Sequence, residues 1–257
     1  MAYGELGKSA LKWATKFVFG LDPDLMPSTV VITPVKVEEC FDDFQTIIVS
    51  NGLKLEKAGS SFLVWIEDEK VLFCEGGIGA SNFADSSYIL CHCKNVKELI
   101  FVGTGGGIGE HVRTVDINIP SSCVRLDKVL EILLPPEALA RADPKLVERL
   151  KISIAKEVHN LGIKVHVGKH ATVLFFLSET KELLIALQKQ GVLSVDMELS
   201  VLYALANHYD KKAAGIIRIG DLPLRGLPAW KSRSHKLRIK QEVHRKILEG
   251  IISYLAD

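Results

Sequence analysis

Long apolar runs are missing from this chain, and so is an excess of charge of either sign. No stretch of about 18 consecutive apolar residues occurs, so no membrane-spanning helix is expected. Glu5, Lys8, Lys12 and Lys16 interrupt the N-terminal residues, which argues against the apolar core of a secretory signal. Lys and Arg number 32 against 31 Asp and Glu, a formal net charge of +1, so neither nucleic acid nor a membrane surface is an expected partner. The one basic stretch, KSRSHKLRIK from Lys231 to Lys240, reads as the start of a solvated helix. Cysteine is scarce. Its five residues, an odd number at irregular spacing, argue against a disulfide framework and for a reducing, cytoplasmic setting. Cys91-His92-Cys93 places a single residue between its thiols and has no second ligand pair, so it reads as structural and no metal is expected.

What is present suits a soluble core. Hydrophobic residues make up 47% of 257, enough to bury a substantial interior without staples. Helical spacing predicts helices over Ala10–Phe19, Ala80–Cys93 (with Ser81 as N-cap or first-turn residue), Pro144–Leu161, Glu179–Gln190, Met197–His208 and Ser234–Leu255. Short β-branched or apolar runs predict strands at Thr29–Thr33, Phe62–Ile66, Lys70–Cys74, Glu98–Gly103, Asp116–Ile119 (closed by Pro120), Ile163–Gly168, Ala171–Leu174, Val192–Val195 and Ala213–Gly220. Strands alternate with helices throughout, which makes an α/β fold. Residues 1–28 read as a helical extension and 29–257 as one domain, with no linker composition between.

Two glycine-rich stretches follow strands: Glu75 to Ser81, and Gly103 to Gly109. Read as turns, they offer positive φ, close backbone approach and free amides for an anion. The common nucleotide fingerprints fail here. A G-x-G-x-x-G frame from Gly103 puts Ile108 at the third glycine, and one from Gly105 puts Glu110 there. Val112–Pro120 looks extended rather than helical, and no Walker lysine-serine pair occurs. Glycine spacing therefore argues against a nicotinamide oxidoreductase.

Four segments together resemble the nucleoside phosphorylase family, which holds purine nucleoside and uridine phosphorylases beside methylthioadenosine/adenosylhomocysteine nucleosidases. GGIGAS resembles its G-x-G-x-x-S turn, and FVGTGGGIGEHVRTVDINIP its strand, G-T-x-G-G turn and following strand. SVDMELSVLYALA resembles its V-x-M-E segment, and AAGIIRIGDLP its strand ending in Ser-Asp, here Gly220-Asp221. The resemblance spans about Val30 to Pro223. It implies a central twisted mixed sheet, partly barrel-like and flanked by helices. It also implies cleavage of an N-glycosidic bond, with inorganic phosphate as co-substrate and no cofactor, in a homo-oligomer (dimer, trimer or hexamer).

Residue roles follow from the same resemblance. Glu198 would hold the ribose hydroxyls and offset oxocarbenium charge, with Met197 under the sugar and Thr104 binding sugar and phosphate. Asp221, at a strand's carboxyl end where α/β sheets place ligands, would protonate or hydrogen-bond a purine at N7. Phe176 would stack on the base, beside Gly105 and Gly106. Uridine phosphorylases carry a Gln-x-Arg pair shortly after this aromatic; LSETKELL has neither residue, which favours a purine. The phosphate site departs from the pattern. The family's Gly-Asp-Pro-x-Arg is ITPVK here, so Lys36 stands for arginine, and Lys57 falls near an arginine lent across a subunit interface. A third arginine should precede V-G-T, where Phe101 stands. Lys36, Lys57, Thr104 and Gly77 are the expected phosphate ligands. Arg218, on the strand face of Gly220, is left either near the site or paired with a core carboxylate. Three activities stay open: phosphorolysis, hydrolysis, and nucleoside binding without turnover.

Overall fold

The computed structural model describes residues 7–226 and 237–257. In chain order the elements are α1 (Lys8–Phe19), β1 (Thr29–Thr33), α2 (Val37–Cys40), α3 (Phe44–Ser50), β2 (Lys54–Ala58), β3 (Ser61–Ile66), β4 (Glu69–Glu75), α4 (Ala80–His92) and β5 (Glu98–Gly107). They continue with β6 (Ile117–Arg125), α5 (Pro144–Val158), β7 (Val165–Thr172), α6 (Lys181–Lys189), β8 (Val192–Asp196), α7 (Leu199–His208), β9 (Lys212–Asp221) and α8 (Leu237–Ala256). The expected helix start at Ser234 and most of the basic stretch lie outside the described residues.

Among the described residues all nine strands form one mixed sheet in the order β2-β3-β4-β1-β5-β8-β7-β6-β9, and β9 returns to pair with β5. The strands β5, β8, β7, β6 and β9 therefore close into a small barrel, while β1, β4, β3 and β2 run on from it as an open wing. Near its start β5 lies between β1 and β9, parallel to both; at Gly106 and Gly107 it pairs antiparallel with β8. This geometry corrects the reading of Gly103–Gly109 as a turn: Gly103, Gly105, Gly106 and Gly107 are strand residues. Their lack of side chains serves close approach. A Cβ on Gly105 would stand 2.3 Å from the Val195 carbonyl oxygen of β8.

Helices cover both faces, because the central strands bury both of theirs. Val30 and Ile32 of β1 point into a cluster with Phe19 of α1, Phe83 and Leu90 of α4, and Leu202 and Leu205 of α7. Val31 points the other way, to Phe44 and Ile48 of α3, Leu150 and Ile154 of α5, and Ile247 and Ile251 of α8. A smaller cluster seats Leu184 and Leu187 of α6 against Val192 and Val195. Through Ala14 and Phe19 the N-terminal helix joins the same core.

Several boundaries differ from the expectation for local reasons. Strand β6 does not stop at Pro120 but shifts register between Pro120 and Ser122, where the missing proline N–H costs no ladder bond. Val165–Thr172 is one strand rather than two pieces. Helix α4 is capped by Gly79, which leaves Ser81 in the first turn, one of the two places expected of it. Helix α7 begins at Leu199, so Met197 and Glu198 precede it.

The Pro120 irregularity is sealed by one hydroxyl. Fully buried Tyr203 of α7 donates to the Pro120 carbonyl at 2.8 Å and accepts from the Gly215 N–H of β9 at 2.7 Å. Tyr203→Phe would strand two buried backbone groups, a loss of about 1–3 kcal/mol. Urea denaturation should show that drop in stability with an unchanged m-value.

Candidate active site

A cavity of about 320 Å³ opens where β5, β8 and β9 end together. Thr104 reports its position: within the otherwise buried run of β5 from Leu99 to Gly107, it alone is exposed. Gly103, Gly105 and Gly106 line the same wall.

Glu198 enters from the link between β8 and α7. Its Oε1 accepts the Gly79 N–H at 2.7 Å and its Oε2 accepts the Met197 N–H at 3.2 Å. Gly79 has φ +84°, a conformation that suits glycine, and it is the N-cap of α4. The earlier glycine stretch thus presents an amide to a carboxylate. Burial first, and the Asp196 charge second, push the Glu198 carboxyl up to about 8, while the two amides pull against that rise. Asp196 also lines the cavity but is committed to structure. It accepts from Thr172 Oγ1 at 2.6 Å and from the Leu199 N–H at 2.9 Å, capping α7, with His170 Nε2 at 2.9 Å.

Asp221 closes β9. The register shift between Gly105 and Gly106 sets Asp221 opposite Gly106, and a Cβ on Gly106 would lie 3.4 Å from Asp221 Oδ1. Phe176 stands on the rim, in the short 3₁₀ turn Phe176–Ser178. Glu179 follows it. Thr180 caps α6 and leaves Glu179 outside the helix, on the cavity wall. Burial, then Asp221 and Asp196, raise the Glu179 carboxyl to about 7.

Of the residues expected from sequence, Thr104, Gly105, Gly106, Phe176, Met197, Glu198 and Asp221 line this one cavity. Lys36, Lys57 and Gly77 do not line it. Lys36 is exposed beside α2, whose Glu39 and Cys40 reach the wall instead. Lys57 lies exposed on β2, four strand spacings of about 4.8 Å from β5, above the Phe62 ring. Gly77 sits in the turn before α4 with φ +95°, its Cα side against Asn82.

Arg218 resolves toward the site. It is 6% exposed; Nη2 donates to Thr104 Oγ1 at 3.0 Å and Nε to His244 Nε2 at 2.5 Å. Among the described residues no carboxylate lies within ion-pair distance of it. His244 of α8 lines the cavity, and burial followed by the Arg218 charge lowers it to about 3, so it is neutral. Glu179, Glu39, Cys40 and His244 escaped the sequence reading. For Glu179 the signal was the Thr180 cap, which ends the helix one residue short of it; for His244 no linear signal exists. Cys91 and Cys93 are buried, their thiols pushed up to about 12 by burial, as core residues of α4 and its cap. Among the described residues no cluster of three metal-ligating side chains occurs, and no helix is long and apolar enough to cross a membrane.

A raised carboxyl destabilises the fold on ionisation. With Glu198 raised to about 8, the folded state holds its proton where the unfolded chain has lost it. Stability should therefore fall as pH rises from about 5 to 8. Melting temperatures across that range should show the slope, and Glu198→Gln should reduce it, leaving the Glu179 contribution, which ends near pH 7.

Comparison with known proteins agrees with this architecture. The family profile described as the phosphorylase superfamily matches residues 48–253. A DeoD-type purine nucleoside phosphorylase of Buchnera aphidicola (strain 5A) is 27% identical over 198 residues, 77% of this chain and 80% of that protein. Purine nucleoside phosphorylase from Toxoplasma gondii, solved with immucillin-H, superposes with a TM-score of 0.69 at 19% identity, covering 92% of this chain and 94% of that one. Uridine phosphorylase from Vibrio fischeri ES114 gives 0.68 at 18% identity, covering 92% and 94%. With a family match over most of its length, this chain belongs to the phosphorylase superfamily, as a nucleoside phosphorylase-type enzyme.

Proposed function

We propose that the protein cleaves the N-glycosidic bond of a purine nucleoside by phosphorolysis, giving the free base and ribose 1-phosphate. One observation carries the reading: Glu198 and Asp221, from different elements, line one cavity of about 320 Å³, a volume suited to a single nucleoside. Glu198 holds the ribose hydroxyls, with Met197 below the ring; its raised carboxyl ionises as positive charge develops at the sugar, and the resulting carboxylate opposes that charge. Asp221 donates its proton or a hydrogen bond to the purine N7, so the base leaves neutral. Phe176 covers the base from the rim, and phosphate attacks the anomeric carbon from the Thr104 side. The two amides on Glu198 orient its carboxyl group before substrate arrives. Purine is favoured over pyrimidine because LSETKELL lacks a Gln-x-Arg pair. The name of the Buchnera relative points the same way.

Hydrolysis is the second reading, favoured by Phe101. Its ring is fully buried edge-on to Phe83, centroids 5.3 Å apart, where it offers no charge to phosphate. Release of base from inosine, adenosine and uridine, with and without phosphate, separates the two. Phosphorolysis requires purine release that depends on phosphate; equal release in its absence assigns a hydrolase, and preference for uridine overturns the purine assignment. Glu198→Ala and Asp221→Ala should each lower turnover by at least about a hundredfold with the fold intact. Wild-type rates in both variants would refute the assigned roles.

A further inference from the structure

The cavity is acidic. Glu39, Glu179, Asp196, Glu198 and Asp221 line it, and none of its described lining residues is lysine or arginine. An anionic co-substrate entering such a space needs a cation that those side chains do not supply. Arg218 stands one layer behind the wall, bonded to two residues that form it, Thr104 and His244.

Burial of a guanidinium without a carboxylate partner is costly, since its charge loses water and gains little in return. Here the cost is met only in part. Nη2 and Nε have neutral acceptors, while Nη1 is buried with no partner among the described residues. The bonds also fix what its neighbours offer. Thr104 Oγ1 accepts from Nη2, which leaves its O–H to donate elsewhere. His244 Nε2 accepts from Nε, so its proton resides on Nδ1. Donors without assigned acceptors thus collect at the Thr104 edge of the cavity, around a planar fork shaped for a tetrahedral oxyanion.

Strand register shows why the charge is here. On the paired strands β5 and β9, Phe101 is opposite Gly215 and Thr104 is opposite Arg218. The position before V-G-T on β5 holds a phenyl ring locked against Phe83, and the guanidinium rises instead from β9 directly beside Thr104. We propose that Arg218 is the guanidinium that anchors the phosphate co-substrate, delivered from β9 to the Thr104 hydroxyl in place of a cation on β5. This rests on the phosphorolysis reading for its ligand, and accounts for a phosphate site that Lys36 and Lys57 do not enter.

The test is calorimetric titration of inorganic phosphate into wild type, Arg218→Met and Arg218→Lys, with steady-state kinetics beside it. Wild type should bind phosphate at one site per chain. Arg218→Met should weaken that binding at least tenfold and raise the KM for phosphate equally, whereas nucleoside affinity without phosphate should move less than threefold. Arg218→Lys, which keeps the charge and loses the fork, should fall between them. No phosphate binding to wild type, or wild-type affinity in either variant with native circular dichroism, would overturn the assignment. So would a parallel loss of nucleoside and phosphate affinity, which marks a structural role. Loss of phosphate binding in Arg218→Met from an enzyme whose base release ignores phosphate would refute phosphorolysis and uphold the anion site.

Discussion

A strand hydrogen-bonded to three neighbours has no room for side chains where it passes from one to the next. Strand β5 meets β1, β9 and β8 along ten residues, and its glycines fall where it leaves β1 and meets β8. That crossing closes the barrel. It also brings the ends of β8 and β9 together, so that Asp196, Glu198 and Asp221 surround one space. The glycines shape the cavity through this arrangement, by letting the main chains that carry the carboxylates draw close.

Charge burial is the second organising element. Several carboxylates share one cavity; burial raises Glu179 and Glu198, and neighbouring carboxylates, Asp221 and Asp196 for Glu179 and Asp196 for Glu198, raise them further. The protein separates their duties by hydrogen bonds. Asp196 is hydrogen-bonded by Thr172 and the start of α7, with His170 Nε2 only in ion-pair range, while Glu198 is held by two amides and keeps an approach to the cavity. The pair is thus divided into one structural acid and one available acid.

Much of this was legible in one dimension. Glu198 and Asp221 stand in segments whose residue order marks them, and the α/β alternation follows from periodicity. Strand β2 was not legible, because KLEKA is a charged edge strand whose only buried residue is Ala58. Helix α3 carries its β-branched residues in FQTIIVS, which has no helical propensity signal of its own and is held by packing. The surroundings of Arg218 were the least legible. Arg218 is a lone cation in the apolar run IIRIG, and its meaning depends on Thr104 across the β5–β9 ladder and His244 on a distant helix. No linear spacing encodes either neighbour.

Gly79 holds two appointments at once, as the amide that grips Glu198 and as the residue from which α4 springs. The positive end of that helix therefore bears on the Glu198 carboxyl. Helix α4 in turn packs against α1 and α7. Sliding α4 along its axis would lengthen the amide contact and make Glu198 a weaker acid, so the seating of a peripheral helix sets the proton affinity at the centre.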